Sequence, residues 1–160
     1  MKRTLYCSLV SFLMCSGAFG QQKGNLGAGF MFGEPTGIAW NYRMSQTNAI
    51  DGAIGFLPYE RYRLNLDYLW EVHPFRERSL GIHYGPGLAF GFGATRYVAV
   101  GGDYFYRESD LGFGVRGVVG LDYLIPRSPV DVFVEVAPVI EMAPASASTV
   151  DAGFGVRFYF

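Results

Sequence analysis

The stretch VDAGFGVRFYF, residues 150–160, decides how the rest of the chain is read. Successive side chains of an extended backbone point to opposite faces. One face here carries Val150, Ala152, Phe154, Val156, Phe158 and Phe160, and the other carries Asp151 and Arg157 among glycines. A strand of a water-soluble protein buries its apolar face and wets the charged one. Here the apolar face is broad and aromatic and the charged face is lined with glycine, which points to the opposite arrangement.

The same period of two recurs along the chain, with no sustained helical periodicity. In NLGAGFMF, Leu26, Ala28, Phe30 and Phe32 share a side. After the turn GEPTG, GIAWNYRM sets Ile38, Trp40, Tyr42 and Met44 against Asn41 and Arg43. AIDGAIGF sets Ile50, Ile54 and Phe56 against Asp51. RYRLNLDYLW sets Tyr62, Leu64, Leu66, Tyr68 and Trp70 against Arg63, Asn65 and Asp67. LGIHYGPGLAFGF sets Leu80, Ile82, Tyr84, Leu88, Phe90 and Phe92 against His83 and four glycines. LGFGVRGVVGLDY sets Leu111, Phe113, Val115, Val119, Leu121 and Tyr123 against Arg116 and Asp122. VDVFVEVAPVI sets Val130, Val132, Val134 and Val136 against Asp131 and Glu135. With residues 150–160 this makes eight strands, each near the ~9–11 residues that cross a bilayer when tilted. One domain is predicted, an all-β, eight-stranded antiparallel up-and-down barrel.

The opening MKRTLYCSLVSFLMCSGAFG, residues 1–20, has basic Lys2 and Arg3, a short apolar run and small residues before Gln21. That is the pattern of a cleaved secretory signal, too short for a spanning helix. The mature domain is then residues 21–160. Both cysteines, Cys7 and Cys15, lie in the signal, so disulfides and thiolate ligands are excluded from the mature chain. Removing Lys2 and Arg3 from the 13 basic residues leaves 11 against 14 acidic ones, a formal charge of −3. A strongly basic nucleic-acid binder is thereby excluded, and no glycine-rich loop precedes a phosphate-binding lysine.

Two barrels fit eight alternating strands. In a soluble one, aromatics from every strand must fill an interior just wide enough for side chains, while glycines weaken the outside. In an inverted one, glycines and long charged side chains fill the lumen, aromatics face lipid, and closure satisfies every backbone group. The inverted barrel explains both features. Its lumen charges are Arg43, Asp51, Arg63, Asp67, Arg116, Asp122, Asp131, Glu135, Asp151 and Arg157. Isolated buried charge is costly, so arginines must meet carboxylates, with Arg63 and Arg116 expected to hold Asp67, Asp122 or Asp131. Such a network packs the lumen and sets register.

A secretory signal, eight alternating strands and a terminal aromatic strand together resemble the small bacterial outer-membrane barrels of the OmpA transmembrane type. GEPTGIAW, GVRGVVGLDYLIP and GFGVRFYF are similar to a family of uncharacterised small outer-membrane barrels of Gram-negative bacteria. The resemblance covers the whole mature chain and implies an integral cell-envelope protein, porin-like in architecture, in contact with outer-membrane lipids. It also implies that GVRFYF, through Phe154, Val156, Phe158 and Phe160, is the C-terminal signal read by the barrel assembly machinery. No peptidoglycan-binding domain follows the strands, so a cell-wall tether is not implied.

Catalytic residues are not expected. His73 precedes Pro74 in a turn, His83 is an interior polar group, and Ser109 and Ser146 have no evident histidine. No metal or cofactor site has the required spacing. Trp40, Trp70, Tyr59, Tyr62, Tyr68, Tyr104, Tyr106 and Tyr123 suit interfacial belts. YFYRESD, Tyr104–Asp110, lies in the longest expected loop, residues 93–110, and mixes aromatics with charge as an extracellular ligand-binding loop does. A monomer with a structural or surface-interaction role is expected. Two other classes stay open: a soluble periplasmic ligand-binding barrel, separated by detergent dependence, and a lipid A-modifying enzyme, separated by the mass of lipid A.

Overall fold

The computed structural model describes residues 24–57, 61–75, 79–100, 103–143 and 146–160. The expected signal, residues 1–20, and Tyr59 lie outside them. The described residues form eight strands: β1 (Leu26–Gly33), β2 (Thr36–Arg43), β3 (Asn48–Leu57), β4 (Arg61–Val72), β5 (Leu80–Val100), β6 (Asp103–Leu124), β7 (Val130–Ala143) and β8 (Ala147–Tyr159). Each pairs antiparallel with the next, and β1 pairs with β8 to close the barrel.

Closure carries a stagger. From Gly27 the paired row runs through Asn41, Asp51, Asp67, Gly87, Arg116 and Val139 to Thr149 on β8. Gly27 itself pairs with Tyr159, ten residues further along (159 less 149). With ~3.3 Å per residue and ~4.8 Å between strands, such a stagger over eight strands tilts them by about 40°. The interior of so narrow a cylinder is filled by side chains.

Burial alternates along the barrel wall. On β8, Asp151, Gly153, Gly155, Arg157 and Tyr159 are buried, while Val150, Ala152, Phe154, Val156, Phe158 and Phe160 are exposed. Among the described side chains of the strands, no outward position is charged. Outward aromatics pair across strands, as in Phe32 with Phe154, Phe56 with Tyr62, and Trp70 with Tyr84.

The inward glycines have a local reason. The register sets several bulky inward side chains opposite one: Phe133 opposite Gly155, His83 opposite Gly120, Asp67 opposite Gly87, Arg157 opposite Gly29, and Arg63 opposite Gly55 and Gly91. A methyl at Gly155 would sit 2.6 Å from the Phe133 ring. Large and small residues thus interlock across neighbouring strands, as a narrow lumen requires.

Three sequence expectations are corrected. The lumen is not filled by glycine and charge alone. Met31, Ala39, Ala53 and Phe133 form one buried apolar cluster, and Ala49, Leu69, Val118 and Ala137 another. The stretch 93–110 is not an open loop: β5 and β6 continue as a paired ribbon from Ala94–Ser109 to Val100–Asp103. Its charges and glycines read as loop composition, but the backbone stays paired as far as Val100–Asp103. The Tyr104–Asp110 side chains lie outside the described ones. A loop over Glu141–Ser148, which the small residues and proline of EMAPASAS suggest, shrinks likewise, because β7 runs to Ala143 and β8 starts at Ala147.

Gly155→Val is expected to lose the folded form, because the added atoms meet Phe133 and the β1 backbone. Gly117→Ala, whose methyl would meet nothing within 4 Å, is expected to fold normally. The fraction of each that keeps compact mobility on an unboiled gel in mild detergent distinguishes them.

Candidate functional site

The strand faces that alternation turns inward converge on a buried ionic network. Three arginines organise it. Arg157 on β8 binds Asp51 across the lumen on β3 through Nη1, and places Nη2 3.0 Å from Asp131 Oδ2 on β7. Its guanidinium carbon lies 3.9 Å from the centre of the Phe133 ring, so one cation is held by two carboxylates and an aromatic face. Asn41 donates to Asp51 Oδ1 at 2.8 Å, and the Tyr159 hydroxyl donates to Asn41 Oδ1 at 3.0 Å.

Arg116 on β6 donates from Nη2 to Glu135 Oε1 at 3.0 Å. Its Nε is 3.3 Å from Asp67 Oδ1, yet the angle is too poor for a hydrogen bond and both atoms lack one. That contact is coulombic. Arg63 on β4 donates from Nη1 to Asp151 Oδ2 at 2.6 Å and from Nη2 to Glu141 Oε1 at 2.8 Å. Asp151 also lies 3.8 Å from Arg116 Nη1 and links the two arginine groups.

The expected partners of Arg63 are therefore corrected: it holds Asp151 and Glu141 rather than Asp67, Asp122 or Asp131. The stagger is the cause, since it brings β8 and β7 to the height of Arg63 across the lumen. Of the expected partners Arg116 meets Asp67, Arg157 takes Asp131, and Asp122 meets His83, whose Nδ1 donates to Asp122 Oδ1 at 3.2 Å. Arg43 sits at the mouth of the barrel, partly exposed, 4.3 Å above the Tyr159 ring and 3.7 Å from Glu71.

Glu71, Glu141, Asn41 and Tyr159 belong to the network and were not among the residues singled out from sequence. Glu71 and Glu141 read as turn residues beside His73-Pro74 and Ala143-Pro144. Extending the alternation from Asp67 to Glu71, and from Glu135 to Glu141 through a buried Val139, would have placed both inside.

The chemical capacity of this arrangement is ionic packing. Its carboxylates are engaged by guanidinium groups or by His83, and cross-braces join β3, β4, β6, β7 and β8. No group of ligands suited to a metal ion occurs among the described residues.

The comparisons with known proteins bear on the fold. No family profile matches the chain, and no curated protein matches it. Among solved structures, the N-terminal β-barrel domain of Pseudomonas aeruginosa OprF superposes with a TM-score of 0.57, over 87% of this chain and 100% of that domain, at 14% identity. The fold is thus that of the OprF and OmpA type, a closed antiparallel barrel of eight strands.

Arg63→Ala deprives Asp151 and Glu141 of their shared cation in the barrel interior, and is expected to cost about 3–5 kcal/mol. Adding Asp151→Asn to Arg63→Ala should recover part of that loss. Urea unfolding in detergent measures both, and equal stability of Arg63→Ala and the parent chain would show that the pair contributes nothing.

Proposed function

We propose that the chain is an integral outer-membrane barrel, monomeric and non-catalytic, whose lumen is plugged by ion pairs and whose role is structural or surface-interactive. The observation that carries this is the outer wall. It is apolar, rich in aromatics and free of charge among the described residues, whereas the charges are gathered inside. From Val150 to Phe160 the outward stripe of β8 rises about 25 Å at the tilt above, the height of a lipid-facing band. Closure leaves no unpaired sheet edge around that band, which hydrocarbon demands. The likeness to the OprF barrel domain supports the same setting.

Phe154, Val156, Phe158 and Phe160 form the outward stripe of the last strand, and the barrel assembly machinery is their proposed reader. The ionic cross-braces favour a plug over a channel, because passage through the lumen would require breaking several buried pairs at once. The long β5–β6 ribbon is the proposed surface-interaction element. It projects by eight residues per strand beyond the last pairing of β4 with β5 at Tyr62–Phe92.

The start of β1, the end of β8 and the β2–β3, β4–β5 and β6–β7 connections share one end of the barrel, proposed as periplasmic. The turn at Glu34–Pro35 and the β5–β6 ribbon share the other. A single cysteine at Gly102 is expected to react with a membrane-impermeant maleimide on intact cells, and one at Gln46 only after lysis. Labelling at Gln46 but not Gly102 would reverse the orientation, and equal labelling of both in a soluble fraction would remove the membrane assignment.

A further inference from the structure

The two mouths of the barrel differ. At the ribbon end, Arg63, Asp151 and Glu141 are bonded to one another, and Pro35 is fully buried. At the end that carries the termini, a vestibule of about 970 Å³ opens inward. Its walls include Arg43, Glu71, Asp122, Leu124, Met44 and Phe75.

Glu71 is the unusual member. Its residue is 6% exposed, yet its carboxylate makes no hydrogen bond among the described residues, and Arg43 Nε stands 3.7 Å away. A carboxylate with only a distant cation beside it gains from a charged donor. Asp122 supplies a second carboxylate two strands on, with one oxygen occupied by His83. Between them, on β5, lies Gly81. A methyl there would come 2.6 Å from Asp122 Oδ2, so the glycine leaves open the space beside the carboxylate. The rim is apolar where Met44 and Phe75 are exposed.

We propose that this vestibule binds a primary ammonium carried on an aliphatic chain, as in a polyamine or a lysine side chain. The ammonium has three donors, enough to bridge Glu71 and the free oxygen of Asp122. The methylene stem lies against Leu124, Met44 and Phe75, as such stems do on apolar surface. Arg43 covers the opposite wall, stacked on Tyr159, and orients Glu71 without bonding it. The rest of the lining is mixed, with Asn25, Ser45, Gln46 and His73 beside Met44, Phe75 and Leu124.

The test is titration of the mature chain in detergent with 1,5-diaminopentane, followed by NMR of the Gly81 amide and the Glu71 side-chain carboxyl. Saturable shifts at both are expected, with none from 1-pentanol or pentanoate at the same concentrations. Glu71→Gln should weaken the diamine by about tenfold or more, since a charged hydrogen bond is worth ~1.5–3 kcal/mol. Glu34→Gln, at the opposite mouth, should leave it unchanged. No saturable shift, equal response to pentanol, or shifts that map away from Gly81 and Glu71 would each overturn the proposal. Those three outcomes need no variant, so a poorly folding Glu71→Gln would not shelter it. Undiminished affinity in a folded Glu71→Gln would overturn it as well.

Discussion

Arg157 joins the last strand of the barrel to the third and the seventh, through Asp51 and Asp131, with its guanidinium plane against Phe133. The structure depends on this kind of contact. A chain whose strands alternate charged and apolar side chains, and whose apolar face is the broader one, can close only with its charges inside. Charges inside a narrow cylinder are tolerable only in mutual contact. Removing one partner strands the other, and this is costlier than never having had the pair. Three arginines on β4, β6 and β8 each reach at least two carboxylates, so loss of one is felt by several strands.

Ionic contacts alone would not fill the space. Layers of ion pairs alternate with apolar clusters around Phe133 and Leu69. The Phe133 ring also packs against the Arg157 guanidinium. Inward glycines complete the fit where a large side chain lies opposite, as Gly155 does for Phe133 and Gly120 for His83. Register and packing are therefore one constraint. A slip of one residue would exchange the faces of a strand, and a slip of two would set bulk against bulk and separate the pairs.

The faces were legible in the sequence because the period of two is a property of the extended backbone, independent of what the strand packs against. Arg63, Asn65 and Asp67 could be assigned to one side from their spacing alone. Their partners could not. The union of Arg63 with Asp151 and Glu141 depends on a ten-residue stagger that accumulates over all eight pairings, and each turn contributes a step that composition does not reveal. Phe133 illustrates a second limit: its inward position is possible only because Gly155 lies across from it, and pairing has to be known before that space can be seen. The β5–β6 ribbon was obscured by composition, since Gly101-Gly102 and the charges around Arg107 look like loop while the backbone remains paired.

Which face meets hydrocarbon is the claim on which the membrane assignment stands, and the chain's two tryptophans report on it. Trp40 and Trp70 both lie on the outer wall. Fluorescence of the protein reconstituted in bilayers should be quenched by lipids brominated on their acyl chains, and should be little affected by aqueous iodide. Strong iodide quenching with no effect of brominated lipid would contradict the account, because it would place the aromatic face in water.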